Sequence, residues 1–392
     1  MFIVGAYYFS QAIGANPGLH SQALKRHLKE VLSLDPTQAA TFMAFLLIPW
    51  MIKPLYGVIS DFVPIFGSRR KSYFILASVF AGGSYFLLSR LGASEGMLRL
   101  LLFNAMVGFA FTDVLCDAVM VEKGRPLNAT NRLQSAQWFA MGIGGLLVAF
   151  FKGYIAEYFS LFQAVQFSAI GAVLILALTF LGWKEEAAAS ARDLRKEALT
   201  GIKDALKLRS LWGCAIFIFL FGATPGMGEA IYYYQIDVLK FSDIQIGHLD
   251  AVASAAFVLG ALFYGVISKK LSHNALLQVI LASALVSNAF FFFYRDLFSA
   301  FVVTAFSGFI SVLNFLGILT LAAKVCPKRV EGTVFALLMS ISNAGMQLSN
   351  IAGAKIYESA GYHWTIMVSV IGTAALWLLL PLVKEKKLLK GA

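Results

Sequence analysis

The chain has 392 residues, 59% of them hydrophobic and 14% charged, with a mean hydropathy of +0.75. That balance excludes a soluble protein, whose surface would need far more polar side chains. The formal net charge of +11 would suit a nucleic-acid-binding protein, but the distribution of the basic residues, followed below, excludes that class too.

Crossing a bilayer takes about 20 helical residues. Apolar runs of suitable length occur at 1–27, 38–61, 72–89, 98–121, 131–152, 161–183, 211–237, 243–268, 274–293, 298–323, 331–354 and 363–383, so twelve membrane helices are expected. The first starts at Met1 without a basic leader and runs too long for a cleavable signal peptide. With an even number of spans both termini share a side, and the loops on that side hold 22 Lys and Arg against nine opposite, with Lys53 inside a span. That excess predicts cytoplasmic termini in a plasma membrane, the inner membrane for a bacterium.

Cys116, Cys214 and Cys326 fall within or at the edges of spans without CxxC spacing, and the five histidines are scattered. They read as packing residues, so neither a metal nor a cofactor is expected.

The one long polar interruption, "WKEEAAASARDLRKEALTGIKDALKLRS" at 183–210, is rich in helix formers. It predicts a partly helical cytoplasmic linker (184–210) between bundles at 1–183 and 211–392. "GANPG" at 14–18 is answered by "GATPG" at 222–226, and "YGVIS" at 56–60 recurs at 264–268, both offset by 208. Two matches at one offset indicate a duplicated six-helix unit. Six is even, so the two copies have the same orientation. Pro17-Gly18 and Pro225-Gly226 should break spans 1 and 7, because proline removes a donor and glycine loosens the helix. Equivalent breaks in two repeats point to a central solute site.

Charges inside the membrane cost about 2.5–3.5 kcal/mol each on insertion scales. Lys53 lies eight residues before the end of span 2 at Asp61, and Asp113 eight before the end of span 4 near Val121. Both spans run towards the cytoplasm, so the two residues should share a depth, with Asp117 one turn further along the same face. The spacing predicts an ion pair of Lys53 with Asp113 or Asp117, either structural or a proton and solute site. Glu229, directly after "GATPG", Asp250 and His248 form a second group in the outer half of spans 7 and 8, with Glu229 the better candidate for ligand contact. Tyr7, Tyr8 and Phe9, and Tyr232, Tyr233 and Tyr234, flank the two breaks. Gln134, Gln137, Asn314, Asn343, Gln347 and Asn350 add hydrogen-bonding capacity, with helix-to-helix bonding as their default role.

Gly57-x-x-x-Asp61 followed by Gly67-Ser68-Arg69-Arg70-Lys71 resembles the loop 2–3 signature of major facilitator transporters. The resemblance implies a cytoplasmic latch built from Gly57, Asp61, Gly67, Arg69 and Arg70. The insertion "FVPIF" before Gly67, with "W-x-IKP" upstream, is similar to the folate–biopterin transporter branch, as are "TDVLCDAVMVEKGR" (112–125) and "ATPGMGEAIYYYQIDVLKFS" (223–242). The resemblance implies an all-α polytopic carrier of the major facilitator fold, not an enzyme, working by alternating access; a monomer is expected. It also implies a folate or pteridine solute and a charged core of Lys53, Asp113 and Asp117, without fixing their roles; the candidate contacts are Glu229, Lys53, Asp113, Tyr233 and Gln137. Asp113 or Asp117 would carry a coupling proton. Another small solute, nucleoside-like or amino-acid-derived, is the alternative. A membrane enzyme is disfavoured, since no nucleophile or paired-acid constellation is found.

Overall fold

The computed structural model describes residues 2–15, 17–68, 70–91, 94–124, 130–182, 207–267, 272–326 and 331–383. All the named elements among them are helices, and the one extended pairing is an isolated bridge between Ile65 and Ser68. The 184–210 linker lies outside the described residues up to 206.

The first half contains α1 (Phe2–Gly14), α2 (Ser21–Arg26), α3 (Pro36–Leu46), α4 (Ile48–Met51), α5 (Lys53–Phe62), α6 (Lys71–Leu91), α7 (Glu95–Gly124), α8 (Thr130–Tyr158) and α9 (Leu161–Gly182). The second contains α10 (Arg209–Ala223), α11 (Ala230–Tyr233), α12 (Asp243–Ile267), α13 (His273–Phe290), α14 (Leu297–Val325), α15 (Glu331–Ala360) and α16 (Tyr362–Ala375). Among the described residues eight helices, α6 to α9, α12 to α14 and α16 with its continuation, are long and apolar enough to cross a membrane. The other four expected spans take different forms. Spans 1 and 7 are broken, α15 is long but carries many amides and hydroxyls, and span 2 is divided into α3, α4 and α5.

The division of span 2 was not expected. Pro49 and Pro54 sit five residues apart, and each lacks the N–H that would continue the helix. The chain turns at Ile52 (φ −98°, ψ 15°) and restarts at Lys53. The lysine therefore occupies the first turn of a new helix, in the middle of the expected span.

The two Pro-Gly breaks have different local partners. Tyr85 of α6 donates to the carbonyl of Gly14 at 2.6 Å, and the Ser168 hydroxyl of α9 lies 2.9 Å from His20 Nδ1 and accepts from the His20 N–H at 3.0 Å. In span 7, Ser349 of α15 donates to the Thr224 carbonyl at 2.6 Å. Backbone groups freed by the breaks are thus satisfied by side chains of neighbouring helices, as a non-aqueous medium demands.

Duplication extends beyond the two sequence matches. A π-helical turn follows α2 at His27–Val31 and α11 at Tyr234–Val238. Left-handed residues come next, Ser33 (φ 53°) and Lys240 (φ 57°), and then α3 at Pro36 and α12 at Asp243. Each pair keeps one spacing (27 to 234, 33 to 240, 36 to 243).

Two compact units result. Unit 1 comprises residues 1–34, 45–191 and 242–251; unit 2 comprises 35–44, 192–241 and 252–392. In unit 1, α6 packs on α7 and α9, and α1 on α8 and α9. The first turns of α12 belong to this unit too. Gly153 of α8 meets them backbone to backbone, since a Cβ there would lie 2.6 Å from the Asp243 carbonyl and 3.0 Å from Gly247 Cα. In unit 2, α10 packs on α15, and α13 on α14 and α16, around buried Cys214, Phe217, Ile218, Leu281, Leu321 and Leu338. α14 opens with a capping box, in which Asp296 accepts from the Ser299 N–H. That bond holds the exposed Asp296 carboxyl below its usual pKa.

Candidate functional site

Four stretches of unit 1 bring a polar cluster together. Asp113 and Asp117 project from α7 one turn apart. Lys53 Nζ reaches Asp113 Oδ2 as an ion pair, and Gln11 Nε2 of α1 donates to Asp113 Oδ1 at 2.9 Å. Tyr8, one turn before Gln11 on the same face, donates its hydroxyl to Asp117 Oδ1, and Gln137 Nε2 of α8 donates to the same oxygen at 3.4 Å. The Lys53 ammonium also lies 4.3 Å over the Trp50 ring, a cation–π contact from the residue preceding the kink by two.

Charge is unevenly answered. Asp113 faces a cation, whereas Asp117 accepts from a phenol and an amide, both neutral. Tyr8, Gln11 and Asp113 are buried, while the Lys53 side chain keeps 29% of its surface exposed, so the cluster opens on the lysine side. Trp50 Nε1 and Gln137 Oε1 in the cluster, and Tyr56 Oη one turn beyond Lys53 on α5, are buried without a hydrogen-bond partner among the described residues. Orphaned polar atoms cost free energy wherever nothing pairs with them.

Of the sequence-derived candidates, Lys53, Asp113, Asp117 and Gln137 come together. Glu229 and Tyr233 belong to unit 2. Glu229 is half-buried at the N-cap of α11, and Tyr233 is buried one turn later. The expected grouping with Asp250 and His248 takes another form, because those two find partners in unit 1. Lys152 pairs with Asp250 at 2.6 Å, and Tyr154 Oη lies 3.2 Å from His248 Nε2. Next to them Gln22 Nε2 donates to Asp243 at 2.8 Å. Tyr8, Gln11 and Trp50 are additions to the site. For Gln11 the available signal was an amide three residues after Tyr8 on an otherwise apolar helix.

At the latch, Arg70 is buried and donates to Ser60 Oγ at 2.7 Å and to Glu122 Oε1 at 2.6 Å, joining the end of α5 to the end of α7. The carboxylate seen here is therefore Glu122. The Asp61 side chain and Arg69 lie outside the described residues. Gly57 faces Val114 of α7 with room to spare. Phe66 (φ 51°) and Gly67 (φ 74°) form a two-residue turn closed by reciprocal 3.0 Å bonds between Ile65 and Ser68. Two left-handed residues in succession are the geometry of a type I′ turn.

Apolar helices of membrane-crossing length, two broken helices and a charged cluster among them are the marks of a polytopic membrane protein. Its fold is that of the major facilitator transporters: a D-xylose–proton symporter structure superposes with a TM-score of 0.73 at 15% identity, covering 98% of both chains. The family model described as the BT1 family matches residues 14–384, and the chain belongs to that family. It is similar to the folate-biopterin transporter of Synechocystis sp. (28% identical, covering 91% of this chain and 73% of the relative). It is similar also to the probable folate-biopterin transporter 4 of Arabidopsis thaliana (25% identical, 92% and 89%). The chain is a membrane transporter.

Proposed function

We propose that the protein carries a pteridine or folate through the membrane by alternating access, coupled to a proton, with the Lys53–Asp113–Asp117 cluster as the solute and coupling site. The observation that carries this reading is the uneven charge: two carboxylates one turn apart and a single lysine, held by Asp113. Asp117 faces Tyr8, Gln137, Cys116 and the Asp113 charge. Proton uptake at Asp117 removes the repulsion from Asp113 without breaking the Lys53 pair. A flat heteroaromatic ring suits the Trp50 face, and its N–H edge suits Gln137 Oε1. The carboxylates of a folate tail suit the exposed side of Lys53. In unit 2, Glu229 and Tyr233 offer a carboxylate and a phenol beside the second break. The names of the relatives support this choice of solute.

The test is uptake of labelled pterin and folate into vesicles holding the purified protein, with and without an imposed proton gradient. Wild type is expected to accumulate one of them only with the gradient. Asp117→Asn is expected to keep solute exchange while losing gradient-driven accumulation. Equal accumulation with and without the gradient would remove the proton, and no uptake of either compound would remove the solute class.

We further propose that the protein works as a monomer in the plasma (bacterial inner) membrane with both termini and residues 184–210 in the cytoplasm, from the excess of basic residues in that set of loops. Single cysteines placed in 184–210 are expected to resist an impermeant thiol reagent applied to intact cells. Labelling as fast as an outer-loop control would reverse the orientation.

A further inference from the structure

On α15, Asn343, Gln347 and Asn350 follow one another at i, i+4 and i+7 and share a face of the helix. Amides on membrane helices ordinarily bond to a neighbouring helix. Other amides of unit 2 do so: Asn288 donates to Thr373 at 2.9 Å, and Asn314 accepts from Ser283 at 2.8 Å. The three on α15 have no side-chain hydrogen bond among the described residues. Gln347 is the extreme case, because the residue is only 8% exposed and its Oε1 is buried without a partner among the described residues.

Packing against the broken span accounts for Asn350 but not for Asn343 or Gln347. The other attachments of α15 to the broken span run through a different row. A Cβ on Gly345 would lie 2.6 Å from the Phe219 carbonyl, Ser349 donates to the Thr224 carbonyl, and Gly353 abuts Gly226. Asn350 lies against Gly228, immediately before Glu229, so the amide row leads to the unit 2 candidate carboxylate.

We propose that Gln347 is a solute-binding residue that reads the lactam edge of a pteridine. This rests on the solute class argued above. A primary amide holds one acceptor and one donor side by side. A lactam presents the complementary pair, a ring N–H beside a carbonyl. Oε1 accepts from the ring N–H, and Nε2 donates to the carbonyl, which gives the orphaned oxygen its missing partner. Asn343 and Asn350, half-buried on either side, extend the same face.

The experiment measures affinity on the purified full chain for pterin and for pterin methylated on its lactam nitrogen, in wild type and Gln347→Leu, with thermal unfolding of each. Wild type is expected to bind the methylated compound more than tenfold more weakly than pterin. Gln347→Leu is expected to unfold no earlier than wild type, to bind pterin more than tenfold more weakly, and to show no further loss on methylation. A direct contact produces that non-additivity. Unchanged pterin affinity in Gln347→Leu, or the same methylation penalty in both proteins, overturns the assignment while leaving the solute class intact. If wild type binds no pteridine, the assignment and the solute class fall together. Should Gln347→Leu not fold, Gln347→Asn keeps the amide but withdraws it by one methylene. A tenfold weaker pterin affinity there supports the contact, and an unchanged one overturns it.

Discussion

Lys53→Met is expected to leave Asp113 and Asp117 buried one turn apart with no cation facing either. Removing one partner of a buried ion pair costs about 3–5 kcal/mol, because the remaining charge stays desolvated. The loss here should fall in the upper part of that range, since a second carboxylate adjoins the first. Folded yield and thermal unfolding should both drop sharply. Asp113→Asn in the same chain removes the stranded charge, and its side-chain oxygen still accepts from Gln11, so the double variant is expected to recover much of the stability. Transport should not return with it, because the charge asymmetry around Asp117 is lost. Additive losses in the double variant would mean that Lys53 and Asp113 act independently.

Gly353→Ala is also expected to destabilise, for an unrelated reason. A Cβ on Gly353 would collide with the carbonyl oxygen of Gly226, part of the broken segment of span 7. Both groups are backbone, so no rotamer relieves the clash, and α15 must move away from span 7. Overpacking that forces a backbone shift typically costs about 1–3 kcal/mol, occasionally more. The Ser349–Thr224 bond one turn away would be strained at the same time. Gly83 on α6 is the control, with nothing within 4 Å of its would-be Cβ. Gly83→Ala is expected to be neutral or to stabilise by about 0.5–1 kcal/mol through helix propensity. Thermal unfolding of the two variants side by side decides whether the close approach or glycine content matters.

Much of this arrangement was legible in the sequence because membrane helices have few degrees of freedom. A fixed rise per residue turns sequence position into depth, which is why counting eight residues back from two span ends put Lys53 level with Asp113. Polar groups that cannot face lipid must then turn inward. What depth does not supply is the azimuth of one helix against another. Gln11 was therefore missed although it lies one turn from Tyr8, and Asp250 was grouped with Glu229 although it pairs with Lys152. The kink at Ile52 had a visible cause in "IPWMIKP", two prolines in six residues. Reading residues 38–61 as one unbroken span concealed it. The role of Glu122 at the latch depends on where α7 ends relative to Arg70, which no local pattern records.

The membership of residues 242–251 in unit 1 has a consequence for the order of events during synthesis. Gln22, Lys152 and the bare backbone at Gly153 are all made early, yet their partners Asp243, Asp250 and Gly247 appear much later. At about 5–20 residues per second, the interval between the end of α9 and residue 251 is on the order of several seconds. Throughout it, the nascent first bundle holds a lysine and a glutamine whose partners have yet to leave the ribosome. Unit 1 is thus the first to be begun, but it closes only when the second half of the chain is already entering the membrane.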